Sequence, residues 1–399
     1  MSDFKVEFTL KQHTPIIHFQ HEQEGATLRA TELKAKLDAY LIKKMVSDNS
    51  KAAFAKFQAN PIWRSWLIGS DQAKNPALDY KIKIQDLDAQ PIKGSTALIT
   101  RDDIGSWKKS GKGLSVEIFS FHPKLLQEIE LAIHPFFACN NFGKRQSKGW
   151  GSFFPNTRED QFEQLLMSSK LPVYKYSSNI SSQPDDRFYE KVVEIWRLLK
   201  SGKNFNNDYR KSLVFKYAAS KGFRWDKRLI KKDIFKLIDA GKLRHNLMGN
   251  KSPIDSSKTG NECDTDNEDG YVGWDENPNF QGEYRFVRAL LGLPELYEFQ
   301  ASGGFIHQVS FSNAEVERYK SPVTFKVFGR NLYAIAEPMP SDVFNQTFSA
   351  SIKSKAKSDG GNVGPFEMPS NLKTPSSQEF NLEEFLDEYF PCVNMIRIN

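Results

Sequence analysis

The feature that most restricts this chain is an ordered change of hydrophobic period across residues 1–155. Val6, Phe8 and Leu10 alternate with Lys5, Glu7, Thr9 and Lys11, the two-residue period of a half-buried strand. Leu33, Leu37, Tyr40 and Leu41 then recur at helical spacing. Residues 54–78, with Trp63 and Trp66, have no clear period and read as an insertion. Tyr80, Ile82 and Ile84 alternate with Lys81 and Lys83, and Leu114, Val116 and Ile118 form a third strand. Gly105–Gly113 reads as an exposed turn before it. A second helix is predicted from His122–Pro123, where proline suits the first turn. Leu125, Leu126, Ile129, Ile133, Phe136 and Phe137 form its apolar face, and Pro135 is expected to kink or end it. Trp150–Phe154 closes the series as a short strand.

The resulting order is β-α-β-β-α-β, the split βαβ or ferredoxin-like arrangement. That fold serves many functions and proves none. A length of 399 residues exceeds one small core and predicts about two domains. Ser177–Asp186 is polar and turn-rich and reads as a linker, so the domains are placed at residues 1–180 and 181–399. In the second, helices are predicted at 187–200, 208–220 and 226–243, and strands at 305–311 and in a hairpin around Gly329–Asn331. A short acidic helix is predicted at 381–390, and flexible insertions at 251–283 and 354–378. The fold class is therefore α+β, two ferredoxin-like domains with extra helices in the second.

Several function classes are disfavoured. Cys139, Cys263 and Cys392 are far apart and form no CxxC or Cys/His cluster, so neither a zinc site nor a disulfide framework is expected. The opening MSDFKVEFTLKQ is charged where a signal peptide is apolar, and no long apolar run predicts a membrane span. The expectation is a cytoplasmic protein with no membrane partner. His13, His18 and His21 lie near a strand end but form no catalytic or metal-binding set by spacing. Arg101, Asp102 and Asp103 read as a solvated turn. No catalytic residue and no cofactor is expected.

A basic, glycine-flanked segment, Phe142–Phe153 (FGKRQSKGWGSF), falls between the second helix and the closing strand. Lys144, Arg145 and Lys148 supply three positive charges with no acid among them. Gly143, Gly149 and Gly151 allow sharp turns and exposed amide N–H groups. Such a loop suits a polyanion backbone, with Gln146 and Ser147 adding neutral hydrogen bonds and Trp150 a stacking face. It has neither the GxxxxGK[ST] spacing nor the strand-to-helix position of a nucleotide-binding loop. A turn whose lysines simply face water fits the composition equally well. A second basic stretch lies at 221–245, with nine Lys/Arg against three Asp/Glu. Its Arg224, Lys227, Arg228, Lys231 and Lys232 fit either a nucleic-acid contact or the exposed face of a packed helix.

The position of the first loop resembles the hallmark of the RAMP superfamily of CRISPR-associated proteins. There a glycine-rich loop, typically G-x-x-x-R-x-x-G-x-G-S, follows the second helix of a ferredoxin-like domain. The run from Gly143 to Ser152, GKRQSKGWGS, is similar. So is HTPIIHFQHEQEGATLRATELKAKLDAYL, residues 13–41, with a TP strand end, Gly25 and then Leu28-Arg29-Ala30-Thr31-Glu32-Leu33-Lys34. Family members often carry glycine next; Ala35 stands here. RFVRALLGLP (285–294) and VERYKSPVTFKVF (316–328) resemble phrases of the larger, two-domain RAMP subunits. Within the superfamily the chain is most similar to the Cmr-module subunit of type III-B effectors that binds near the 3′ end of the guide RNA.

The resemblance implies a non-catalytic RNA-binding subunit of an RNA-guided antiviral ribonucleoprotein. Its partners would be crRNA, target RNA and other RAMP subunits. Phosphate charge and duplex shape would be recognised, while base pairing reads sequence. It assigns RNA contact to Arg29, Lys34 and Lys36 at the first helix and to Gly143, Lys144, Arg145, Gln146, Lys148, Gly149, Trp150 and Gly151 of the loop. Two other readings stay open: a RAMP-type endoribonuclease that processes repeat RNA, and a protein-interaction module without direct RNA contact.

Overall fold

A computed structural model describes residues 4–17, 27–48, 52–69, 77–86, 89–91, 107–110, 113–178, 187–205, 208–243, 282–293, 296–316, 319–356 and 363–399. The chain is mixed α and β and forms two compact units whose main sheets are antiparallel. The units interleave in sequence: Met1–Val193, Val323–Glu337 and Asn394–Asn399 form the first, and Glu194–Pro322 with Pro338–Val393 the second. The expected linker at Ser177–Asp186 falls largely outside the described residues, as do most of the insertion at 251–283, His18, His21, Arg101, Asp102 and Asp103.

The first unit opens with β1 (Lys5–Gln12), β2 (Ile16–Ile17), α1 (Ala30–Val46), α2 (Ala53–Ala59) and α3 (Pro61–Arg64). Then come β3 (Lys81–Asp86), β4 (Ala89–Pro91), β5 (Trp107–Ser110), β6 (Leu114–Phe119) and α4 (Pro123–Cys139). After β7 (Phe153–Pro155) follow α5 (Phe162–Met167), β8 (Val173–Tyr176) and the start of α6 (Arg187–Lys200). The main sheet has the order β3-β6-β1-β7, with every pair antiparallel. Phe8 faces Val116, and Val116 faces Ile84, so the three period-two strands are in register. Leu10, Leu114, Val116 and Ile118 turn inward onto Leu33, Leu37 and Leu41 of α1 and Ile129, Ile133 and Phe136 of α4. Each such side chain removed from water is worth about 1.5–3 kcal/mol.

Two local expectations change. Pro135 lies inside α4 without ending it. The backbone bond that it removes is to Leu131, which is on the outer face, with 61% of its surface exposed. Residues 107–110, read as part of a turn, form β5 between β2 and β4. A backbone partner on each side outweighs their lysine- and serine-rich composition.

A further sheet of this unit has the order β15-β16-β8-β20, where β15 is Val323–Phe328, β16 is Asn331–Ala336 and β20 is Met395–Arg397. The predicted hairpin at Gly329–Asn331 is thus present, and its second strand, β16, pairs with β8. Phe162 and Phe328 stack at 3.9 Å beside Tyr333, joining this sheet to the core.

The second unit holds β9 (Lys203–Phe205), β10 (Asp208–Arg210), α7 (Leu213–Ser220), β11 (Arg224–Trp225), α8 (Asp226–Asp239), β12 (Tyr284–Arg285) and α9 (Val287–Leu290). Its sheet is built from β13 (Tyr297–Ala301), β14 (Phe305–Ser312), β17 (Thr347–Ala356) and β18 (Val363–Glu367), in that order. Strand β19 (Leu372–Lys373) also pairs with β17, and α10 (Leu382–Tyr389) follows. Phe299, Val309, Phe348, Ala350 and Ile352 meet Ile230, Ile234 and Leu237 of α8. Among the described residues no α-helix separates the strands of this sheet, so a second β-α-β-β-α-β order is not traced in it. The stretch 354–378, expected to be mobile, contains the end of β17 and all of β18 and β19. Backbone pairing with β17 holds β18 and β19 in place; residues 357–362 lie outside the described residues. Cys139 is a free thiol, and Cys263 lies outside the described residues.

Candidate nucleic-acid interface

The loop between α4 and β7 starts where a helix ends, and helix ends leave carbonyls unsatisfied. Two lysines supply the missing donors. The Lys326 ammonium, fully buried on β15, donates to the Asn140 carbonyl at 2.7 Å and the Phe153 carbonyl at 3.2 Å. Lys36 of α1 donates to the Asn141 carbonyl and to Gln146 Oε1. Positive charge at this end also complements the helix dipole. Burial, helped by nearby Lys36, pushes Lys326 down to about 7.

Asn141 then clamps both sides of the loop. Its Nδ2 donates to the Gln146 carbonyl at 2.8 Å and the Phe325 carbonyl at 2.7 Å. The loop amides are mostly turned inward. Gly143 N–H donates to Glu32 at 2.9 Å, Lys144 N–H to the Ile17 carbonyl at 2.9 Å, and Gly151 N–H to the Pro15 carbonyl at 2.8 Å. Lys148, Gly149 and Ser152 donate to Arg145, Gln146 and Thr14. The sequence reading of an open amide cradle is therefore corrected: these N–H groups hold the loop shape.

Two glycines are fixed by close approach. At Gly151, φ is 66° and an added Cβ would lie 2.0 Å from the Phe142 carbonyl oxygen. At Gly143, φ is 80° and a Cβ would meet the Ile17 carbonyl oxygen at 2.7 Å. Gly149 backs onto the Phe188 ring, 3.3 Å from where a Cβ would stand. Arg145 also lies in the left-handed region, at φ 56°, a conformation that a non-glycine residue holds only when its surroundings impose it.

The side chains divide into two sets. Lys144, Arg145, Gln146 and Lys148 are half-buried, with part of each still at the surface. Arg145 donates to the Tyr189 hydroxyl at 2.8 Å, which fixes the guanidinium beside the loop. Trp150 belongs to the interior. It has 0% exposure and contacts Tyr189 and Phe188 with ring centroids 5.0 and 5.4 Å apart. The expected base-stacking role of Trp150 is thereby overturned, because its ring is already packed.

Helix α1 divides similarly. Lys34 donates to Asp38 at 3.0 Å and to the Leu78 carbonyl at 2.7 Å, with its ammonium 3.8 Å from the Tyr80 ring centre. It ties helix to strand, and Lys36 ties helix to loop. Arg29 occupies the N-cap of α1 and is half-exposed. Of the sequence-predicted contacts, the structure thus brings Lys36, Lys144, Arg145, Gln146 and Lys148 together. Glu32, Asn141, Thr14, Ser152 and Lys326 organise the site and were missed as site residues. Glu32 carried the one readable signal, an acid in the first helical turn.

The second basic stretch lies within the second unit. Strand β11 pairs in parallel with β12 and leads directly into α8. Asp226 is buried and held by Arg288, at 3.1–3.2 Å from Nε and 2.7 Å from Nη2. Arg288 lies 4.0 Å from the Tyr297 ring centre and 4.9 Å from that of Trp225. Lys227 is pushed down to about 8 by burial, then by Arg288 and Lys231. Lys231 is lowered by burial and by Arg228. Lys232 donates to the Tyr284 hydroxyl at 2.7 Å, and the Arg224 guanidinium lies 5.6 Å from the same ring centre.

His13 is engaged structurally: Nδ1 accepts the Gly329 N–H at 3.2 Å and its ring lies 4.5 Å from Phe328. Among the described residues no group of His, Cys, Asp and Glu is arranged to hold a metal ion. Among the same residues no helix is long and apolar enough to cross a membrane.

Comparison with known families gives two matches. The model described as the Cmr1 N-terminal domain matches residues 3–203, and that described as the Cmr1 C-terminal domain matches residues 209–397. No curated protein matches the chain.

Proposed function

Since the chain belongs to the Cmr1 family, RAMP subunits of the type III-B CRISPR module, we propose that it holds crRNA, and the crRNA–target duplex, without cleaving it. The first unit is read as a ferredoxin-like RAMP domain, which its sheet order β3-β6-β1-β7 supports. The single observation that carries the RNA-binding reading is the internally braced loop whose Lys144, Arg145 and Lys148 remain half-exposed. A loop braced from within presents its charges at fixed spacing and loses little entropy on binding. Its role is phosphate contact, since charge and not base-edge readout is what it offers. The rest of the assembly would supply neighbouring Cmr subunits, and base pairing the sequence specificity.

The test is binding of a guide-like RNA, single-stranded and paired to target, over a salt series. Wild-type affinity falls steeply with salt. Lys144→Glu with Arg145→Glu lowers affinity at least tenfold, and intact RNA is recovered from the mixture. Unchanged binding by that variant, with and without partner subunits, sinks the reading; cleaved RNA sinks its non-catalytic part.

A further inference from the structure

The main sheet of the first unit ends on β3, the outermost strand in the order β3-β6-β1-β7. One side of β3 is paired residue by residue with β6, from Lys81 opposite Phe119 to Asp86 opposite Leu114. Among the described residues no strand pairs with the other side. An edge strand of six residues leaves every second N–H and C=O pointing outward from the sheet. Its two faces are also incomplete. Ile82 and Ile84 pack against the core but are only half-buried. On the opposite face Lys81 and Lys83 are exposed, and neither has an ion-pair partner among the described residues. The reason lies in β6. Lys81 stands opposite Phe119, which carries no charge. Lys83 stands opposite Glu117, whose carboxylate is already bound to Lys5 of β1 at 2.9 Å.

We propose that the outer edge of β3 docks an extended segment of a partner protein in which acidic and apolar residues alternate, added as a further strand of this sheet. Three features of β3 select that chemistry together. The outward amides and carbonyls alternate as donors and acceptors, which another polypeptide strand satisfies in full. A phosphodiester chain offers phosphate acceptors, which leave the carbonyls unmatched. Apolar residues of the incoming strand would cover what remains exposed of Ile82 and Ile84. Acidic residues on its other face would stand beside Lys81 and Lys83, and opposite charges on neighbouring strands attract. The same lysines discourage a second copy of β3, since lysine would then neighbour lysine across the new pair. The edge therefore rejects itself and admits a strand of opposite charge. It uses no residue of the basic loop, so the two surfaces are separable by experiment.

The full chain is titrated with a fluorescent peptide of about eight residues, a length that spans the strand, in which glutamate and valine alternate. Saturable binding is expected. Lys81→Glu with Lys83→Glu is expected to lower its affinity about tenfold and to create binding of a lysine–valine peptide of the same pattern. That gain is a readout that a merely weakened fold cannot produce. Methylating every amide nitrogen of the glutamate–valine peptide removes its backbone donors and is expected to abolish binding. Should the double variant fail to fold, Lys83→Gln takes its place, with an expected loss of about threefold. No saturable binding to the wild type below about 1 mM peptide overturns the proposal and would mark the lysines as guards that keep the edge unpaired. Equal affinity in a folded double variant overturns it as well. So does undiminished binding of the methylated peptide, which would mark contact through side chains alone. Dimers of the chain that compete with the peptide would mark a second copy as the occupant and also overturn it. Displacement of the peptide by single-stranded RNA, from the wild type and from Lys144→Glu with Arg145→Glu alike, would mark this edge as a nucleic-acid site and overturn it too.

Discussion

The Glu32 carboxylate accepts the Gly143 amide at 2.9 Å, so the first turn of α1 directly sets the entry of the basic loop. A hydrogen bond to a charged group contributes about 1.5–3 kcal/mol. Glu32→Ala is expected to cost about 1–2 kcal/mol and to leave the overall fold intact. Amide hydrogen exchange at Gly143 and Lys144 should accelerate before that of α4. Equal protection in both proteins would show that the loop does not depend on α1.

Gly151 meets the Phe142 carbonyl too closely for any side chain. Gly151→Ala adds a backbone clash to a left-handed conformation, each sufficient to strain the loop. The expected cost exceeds about 3 kcal/mol, seen as a fall in Tm or in the yield of folded protein. Gly222→Ala, where an added Cβ meets nothing within 4 Å but φ is 81°, should cost much less.

Lys326 titrates near pH 7 in the fold and near its ordinary 10.5 when unfolded. Between those values unfolding takes up a proton, so stability rises with pH, by at most about 1.4 kcal/mol per pH unit. Below pH 7 the cost of the buried ammonium is fully present. The useful window is pH 7–8.5, below the ordinary 9.0 of the adjacent Cys139 thiol, which burial pushes up to about 11. Urea unfolding of wild type and Lys326→Met across that window should show a steeper rise for wild type. Parallel profiles would count against a neutral lysine.

Asp226 and Arg288 form a buried ion pair at 2.7 Å. Removing one member leaves the other charge buried without this counter-charge, which costs about 3–5 kcal/mol. Asp226→Asn is therefore expected to lower the Tm of the second unit, and Asp226→Asn with Arg288→Met to recover part of the loss. A double variant no better than the single one would place the damage in packing instead.

Much of the first unit was legible because its signals are local. The two-residue period of Val6, Phe8 and Leu10 and the helical spacing of Leu33, Leu37 and Leu41 each report one element. The order of period changes then limited the sheet. The destination of the Val323–Ala336 hairpin was not legible, since nothing in Phe325 or Tyr333 names β8 as the partner strand. Site residues failed for a related reason. Position on a helix does not show whether a lysine reaches water or a carbonyl; Lys34 and Lys326 reach carbonyls. Trp150 stands among glycines and charges that suggest exposure, yet its large ring fills space against Phe188 and Tyr189. Arg145 and Lys144 were legible through the motif, but the Glu32 and Asn141 contacts that brace them depend on tertiary geometry.

The pairing of β8 with β16 and β20 has a consequence for synthesis. A ribosome makes Val173–Tyr176 well before Asn331–Ala336 and Met395–Arg397 exist. Strand β8 must therefore wait, with open edges, for strands near the end of the chain. Because Phe325 and Lys326 also fasten the basic loop, a chain interrupted before them cannot display that loop in finished form. Completion of the loop thus reports that translation has passed residue 326, which disfavours display of the basic loop by prematurely terminated chains.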